Sequence, residues 1–118
     1  MKGGYFIAKG NRCFTEICQM LEMNLNRHFR AEIIDGFIYF TENFSFANSS
    51  ELMTVIRVQK INSNDNECEV EVISGGGATG LFSMSWGNEN RRVNKALKLI
   101  TEFCLSRQFE YSKIAYKE

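Results

Sequence analysis

The chain lacks proline and long apolar runs, and it has one histidine and one tryptophan among its 118 residues. Without an apolar stretch of about 18 residues, nothing indicates a membrane-spanning helix, and residues 1–8 lack the pattern of a secretory signal. The sequence therefore predicts a cytoplasmic protein. With one histidine and two aspartates, no nucleophile and base stand at a recognised spacing, which favours a non-enzymatic function and predicts no catalytic residue.

The chain also lacks an excess of charge of either sign. Lysine plus arginine and aspartate plus glutamate both total 14, so the formal net charge is zero. A neutral chain has no general electrostatic attraction to nucleic acid or to an anionic membrane, and neither is predicted as a partner. The length fits one domain over residues 1–118, and 44% apolar residues suffice for one core.

Four cysteines lie inside periodic segments, at positions that point inward: Cys13, Cys18, Cys68 and Cys104. This placement favours buried thiols in a reducing compartment over a disulfide framework. The first two cysteines are five residues apart and no second close Cys or His pair follows, so the spacing of a zinc site is missing. No metal and no cofactor are predicted.

Hydrophobic periodicity predicts a short strand over residues 5–8 and two helices. The first helix is capped by Asn11, and His28 lies where it should end. The second begins near Asn88, and residues 105–118 form a docked tail. The apolar stripes of the two helices consist of Phe14, Ile17, Cys18, Leu21 and Leu25 in the first, and of Val93, Ala96, Leu97, Ile100, Phe103 and Cys104 in the second.

Two hairpins are predicted between the helices. The pair Asp35-Gly36 favours a type I′ turn, which would pair Ile34 with Phe37 and direct Ile33 and Ile38 into the core. The face that includes those two residues also carries Ala31 and Phe40.

The second hairpin has a loop over residues 62–66. Pairing across that loop places Ile56 against Val72 in the core and Arg57 against Glu71 outside. The acidic row Glu67, Glu69 and Glu71 is then a solvated face that carries a cross-strand ion pair.

A glycine-rich turn at residues 74–80 leads into an alternating segment, residues 81–86, which we predict to be a strand. The turn satisfies G-x-G-x-x-G, but a dinucleotide fingerprint needs a helix at its last glycine, and Leu81 and Phe82 stand where a phosphate-binding loop needs lysine and serine or threonine. Nucleotide or anion binding at this turn stays as an alternative. The candidate ligand-binding residues are Gly75, Gly76, Gly77, Thr79 and Trp86.

Phe44 and Phe46 interrupt a polar segment after the first hairpin. They extend a strand or, if both rings are exposed, form an interaction patch for a partner or an apolar ligand.

The segments Ser74-Gly75-Gly76-Gly77 and Ser85-Trp86-Gly87 carry a family resemblance. With them, the chain resembles a small uncharacterised bacterial family that has a Ser-Gly-Gly-Gly turn and a Ser-Trp-Gly segment before its last helix. The resemblance implies a compact α+β module and no known activity.

The element order β-α-β-β-β-β-(β)-α predicts an α+β fold, a curved antiparallel sheet of about five to six strands with both helices on one face. In order and count this is similar to a TATA-binding-protein-like repeat or a reduced helix-grip fold. Three functions remain open. The first is a binding module with a pocket for an apolar or aromatic ligand between sheet and C-terminal helix. The second is an interaction protein that pairs through its sheet or through Phe44 and Phe46, and the unprotected sheet edges favour a homodimer. The third is an enzyme with an unrecognised site.

Overall fold

The structure, a computed structural model, describes residues 2–25, 27–41, 52–76 and 84–117, and residues 84–92 by their backbone only. The elements in these residues are β1 (Lys2–Lys9), α1 (Cys13–Asn24), β2 (His28–Ile33), β3 (Gly36–Thr41), β4 (Leu52–Ile61), β5 (Asn64–Gly76), α2 (Met84–Ser106), β6 (Glu110–Tyr111) and β7 (Ala115–Lys117). Neither of these two helices is long and apolar enough to cross a lipid bilayer.

The seven strands of the described residues form one antiparallel sheet in the order β2-β3-β4-β5-β1-β6, with β7 also paired to β1. The sheet is open, with β2 at one edge. The α+β prediction is confirmed, and the tail predicted to dock supplies β6 and β7 at the other edge.

Both helices pack on one face of the sheet, the helix face, and contact each other. The other face is called the open face. The described core between sheet and helices consists of fully buried side chains, as alternation in the strands and helical spacing in α1 and α2 require. Its largest members are Tyr39, Phe6, Ile17, Leu21, Ile56, Leu97, Ile100, Val58, Val70 and Val72.

The start of α1 is capped by residues that are distant in sequence. The N-cap is Arg12, in the left-handed region at φ 58° and without a side-chain cap, so the prediction of Asn11 is wrong. The Asn66 side chain accepts from the Arg12 amide at 2.8 Å, and Asp65 accepts from the Thr15 amide at 3.1 Å and its hydroxyl at 2.8 Å. The β4–β5 hairpin therefore satisfies the first turn of α1.

The predicted β4–β5 register is confirmed. Ile56 pairs with Val72 in the core, and Arg57 pairs with Glu71 on the open face. The predicted loop over residues 62–66 is too long, because β5 begins at Asn64. A register shift between Lys60 and Ile61 pairs Ile61 with Asn64, so the pairing of Ile61 with Glu67 that the longer loop predicts is wrong.

The predicted β2–β3 register and buried face are wrong. Ile33 pairs with Gly36, so the turn is Ile34-Asp35 and the positive φ of 60° belongs to Asp35. Gly36 is required for a different reason, since a Cβ there would lie 2.2 Å from the Val58 carbonyl oxygen.

Tyr39 is fully buried on the helix face of this hairpin. The predicted core residues, Ala31, Ile33, Ile38 and Phe40, lie on the open face instead.

The strand predicted at residues 81–86 is wrong for its second half. Met84, Ser85 and Trp86 belong to α2, which starts earlier than the predicted Asn88. Residues 81–83 lie outside the described residues. Ser74, Gly75 and Gly76, predicted to open the turn, instead continue β5.

Candidate functional site

The candidate ligand residues are not brought together as a described site. Gly75 and Gly76 end β5, where they pair with Met53 and Leu52. Trp86 lies in the first turn of α2, and only its backbone is described. The remaining candidates, Gly77, Thr79, Phe44 and Phe46, lie outside the described residues.

The early start of α2 changes one reason for doubting nucleotide binding. A strand over residues 81–86 would have separated the glycines from the helix start, and its second half is helical. Two other reasons remain. β5 lies between the antiparallel strands β1 and β4, unlike the parallel unit of a dinucleotide fold, and Leu81 and Phe82 still replace the phosphate-binding residues.

Two buried hydroxyls lie at the glycine-rich end of the helix face. Thr54 and Ser74 are opposite each other across β4 and β5, and both are 0% exposed. Neither side-chain oxygen has a hydrogen-bond partner within the described part of the chain. A buried hydroxyl without a partner is unfavourable, so this pair is a point at which a polar ligand atom would be stabilising.

A polar cluster joins α1 to the β2–β3 hairpin. The Tyr39 hydroxyl and Arg30 Nη1 both donate to Glu22 Oε2 at 2.8 Å. Partial burial opposes ionisation of Glu22, but these hydrogen bonds and the arginine charge outweigh it and lower the pKa of Glu22. Burial, with the neighbouring Cys18 and Glu22, raises the pKa of Tyr39 well above its usual range.

His28 lies at the margin of this cluster. Its ring is 5.8 Å from that of Tyr39, and its Nδ1 lies 3.2 Å from the carbonyl oxygen of Leu25, the C-cap of α1. His28 itself begins β2, so its predicted position at the end of the helix is wrong although it contacts the C-cap. The cluster orders the hairpin against α1, and its hydrogen-bonding groups are engaged with one another.

All four cysteines are free and buried, as predicted. Burial raises the pKa of Cys18 and of Cys104 to about 12. Cys13 Sγ lies 3.8 Å from Cys68 Sγ, and this contact lowers the pKa of Cys13 while it raises that of Cys68. The described residues contain no group of three His, Cys, Asp or Glu side chains that would hold a metal ion.

The acidic row on β5 lies on the open face, as predicted, but its side chains are partly buried rather than fully solvated. Arg57 Nη2 lies 3.0 Å from both Glu69 Oε1 and Glu71 Oε1, and Lys9 lies 3.7 Å from Glu67. The predicted ion pair is confirmed and includes a second carboxylate. These charges neutralise one another in part and leave no open acidic site.

An apolar row crosses the open face from the β2 edge. Its members lie opposite one another in successive strands: Phe29, Phe40, Val55 and Ile73. Phe29 is 68% exposed, and its ring lies 6.1 Å from that of Phe40. A cleft of about 310 Å³ opens at the β2 end of the row, lined by Arg27, His28, Phe29, Phe40, Thr41 and Met53.

The β2 edge is a candidate interaction surface that the sequence prediction missed, because it assigned this face of the hairpin to the core. In the described chain β2 pairs with β3 alone, so one side of its backbone has no strand partner. The available signal was the alternation in residues 28–33, with apolar side chains on one face and Arg30 and Glu32 on the other.

Comparisons with known proteins found no matching family model, no matching curated sequence and no matching solved structure. The resemblance to a bacterial family therefore stays a prediction.

Proposed function

We propose that the chain is a non-catalytic protein-interaction module that binds another polypeptide through the β2 edge of its sheet. The observation that carries this proposal is the exposed edge itself. Among the described residues no strand pairs with the outer side of the β2 backbone, and the exposed ring of Phe29 lies beside it. An added strand would satisfy that backbone and cover that ring.

The apolar row extends the surface that a partner would cover. Phe29 is strongly exposed, and Phe40, Val55 and Ile73 are half-buried on a face that neither α1 nor α2 covers. Contiguous apolar side chains on a sheet face are typical of interaction surfaces. They lie next to the unpaired strand, so one partner segment would contact both.

The polar groups near this surface support binding rather than catalysis. Glu22, Arg30 and Tyr39 bond to one another, and burial raises the pKa of the neighbouring Cys18 thiol to about 12, which disfavours its reactive thiolate. The thiols also fit the proposed location, a reducing compartment such as the cytoplasm.

A second candidate function is small-ligand binding at the glycine-rich end of the helix face. It is favoured by the buried hydroxyls of Thr54 and Ser74, which lack partners among the described residues. An aromatic ligand with one polar group would fit that chemistry. If this function is right, a panel of phenols will raise the melting temperature of the wild type and will not raise that of a Thr54→Val, Ser74→Ala variant.

The interaction proposal is tested by selecting binders from a displayed library of random peptides on the immobilised full chain. We expect enriched peptides to alternate apolar and polar residues, and to lose binding to Phe29→Asp. Leu105→Asp is the matched control, because Leu105 is 62% exposed on α2, away from β2. Equal binding to the two variants, or no enrichment, would contradict the proposal.

A further inference from the structure

Along an antiparallel strand, successive residues direct their backbone amide and carbonyl groups to opposite sides, so the pairing of β3 determines which β2 residues direct these groups away from the sheet. The Lys60 amide donates to the Asp35 carbonyl at 2.8 Å, so alternate residues of β3, counted from Asp35, direct their backbone toward β4. The intervening residues of β3 direct theirs toward β2. Their partners in β2, listed in chain order, are Phe29, Ala31 and Ile33.

Three β2 residues remain, His28 at the start of the strand and Arg30 and Glu32 within it, and these direct their amide and carbonyl groups away from the sheet. Arg30 and Glu32 form the middle of this edge. Both side chains are exposed on the helix face. Any strand added to this edge must bond to the backbone of these two residues. Its own side chains would lie opposite one cation and one anion.

A second copy of β2 meets this requirement in one symmetric register. In an antiparallel pair centred on Ala31, the Arg30 of each copy lies opposite the Glu32 of the other, and outward-facing backbone meets outward-facing backbone. Centring the pair on Arg30 or on Glu32 would place like charges together. If the two-fold axis passed between two residues, backbone groups that face outward in one copy would lie opposite residues whose backbone faces inward in the other. The hydrogen bonds between the copies would then be lost.

We propose that the partner is a second copy of this chain, bound by antiparallel β2–β2 pairing centred on Ala31. This inference rests on the interaction function proposed above. The open face agrees with this register, because Phe29 then lies opposite the second copy's Ile33. The exposed ring of Phe29 is then covered, and the apolar rows of the two copies meet at the interface. The pair has the two-fold symmetry that is usual for homodimers.

The existing contacts of the edge permit this pairing. Arg30 uses Nη1 on Glu22, and a guanidinium has five N–H donors, so others can reach the second copy's Glu32. No proline blocks the strand. The opposite edge is less open, because β6 and β7 cover part of β1, and the Ser112 amide donates to the Ile7 carbonyl at 2.9 Å.

Charge reversal tests the register. We expect Glu32→Arg to weaken self-association in sedimentation at least tenfold, because it places two arginines opposite each other at two positions. Arg30→Glu should weaken it as well, and an equimolar mixture of the two variants should form the heterodimer. Glu102→Arg, which changes an exposed carboxylate on α2, is the matched control and should associate like the wild type.

Cysteine cross-linking tests the same register without altering charge. Two Ala31 residues would face each other as a close pair, with Cα atoms about 4.5 Å apart. Ala31→Cys should give a disulfide dimer with oxidised glutathione that dithiothreitol reverses, since the four native thiols are buried. Ile33→Cys, on the same strand face, is the control and should stay monomeric in denaturing electrophoresis.

Three outcomes would overturn the proposal. They are a wild-type chain that is monomeric at tens of micromolar, cross-linking of Ile33→Cys in place of Ala31→Cys, and a mixture of charge variants that does not associate. If the wild type is monomeric while selected peptides still bind β2, the second copy is excluded and the interaction function stands. If neither peptides nor a second copy bind, both proposals fail.

Discussion

The centre and the β2 edge of the sheet differ in what covers them. β5 is paired on both sides, and Val70 on that strand is 0% exposed beneath the helices. β2 is paired on one side, and Phe29 on that strand is 68% exposed. The central strand β5 therefore contributes to the stability of the fold, whereas the edge strand β2 is available for association.

The largest expected effect comes from placing one charge in each region. Val70→Asp should destabilise the chain by about 4 kcal/mol, because an unpaired carboxylate would be buried in the core. Phe29→Asp should change the stability of the monomer by less than about 1 kcal/mol, because the ring is exposed. Urea unfolding followed by circular dichroism measures the free energy of unfolding of both variants. Similar losses in the two would contradict the difference between centre and edge.

A smaller effect is expected at the hairpin that caps α1. Asp65→Ala should cost about 1 kcal/mol, because it leaves the Thr15 amide and hydroxyl without their acceptor. Asp65→Asn keeps an oxygen acceptor and should cost less. The midpoints of urea unfolding would rank the three proteins, and a larger loss for asparagine than for alanine would be inconsistent with capping.

The link between α1 and the edge hairpin predicts a pH effect. The pKa of Glu22 is lowered in the folded chain, so its contribution is present above the unfolded pKa of about 4.3 and is lost as the pH falls through the folded pKa. Glu22→Gln should therefore be less stable than the wild type at neutral pH, by up to about 1 kcal/mol for this half-exposed group.

That difference between Glu22→Gln and the wild type should vanish in acid. Glu102→Gln is the control, because it removes an exposed carboxylate from α2. Urea unfolding at a series of pH values is the measurement, and a difference that persists in acid would show that the variant acts through packing instead.

The smallest effect is expected on the open face of the central strands. Glu69→Gln should cost less than about 0.5 kcal/mol, because Arg57 keeps Glu71 at 3.0 Å and the site is partly solvated. The loss should shrink further in salt. A loss above about 1 kcal/mol in urea unfolding would mean that this charge cluster contributes as much as the cap of α1.

The central hairpin could be predicted from sequence because its two faces differ in chemistry. Ile56 and Val72 are apolar where Arg57 and Glu71 are charged, so one register alone buries the apolar side chains. The helical stripes were equally informative, because the buried residues of α1 recur at a spacing of three and four.

The edge hairpin could not be predicted in the same way, because both of its faces carry large apolar or aromatic residues. Tyr39 is buried since α1 supplies Glu22 as an acceptor for its hydroxyl, a contact between elements that local patterning does not contain. The sequence predicts Gly36 as a turn residue, whereas in the structure it is required for the close approach of the Val58 carbonyl. Because the sequence assigns the open face of this hairpin to the core, it does not predict that Phe29 is exposed.

The start of α2 was misplaced because a short alternating segment also fits the beginning of a helix. The predicted site at the glycine-rich turn depended on that segment. Only Gly75 and Gly76 have a described environment, and it is the end of a paired strand. The exposed sheet edge is the candidate site that the described residues support, and sequence periodicity alone does not distinguish such an edge from the core.

Amide hydrogen exchange at the β2 edge tests the central claim most directly. The amides of Arg30 and Glu32 face outward, whereas that of Ala31 faces β3. We predict that the Arg30 and Glu32 amides exchange rapidly in dilute protein and become protected as concentration rises, while the Ala31 amide is protected throughout. Rapid exchange of the Arg30 and Glu32 amides at every concentration would contradict the account, because it would show that no strand pairs with this edge.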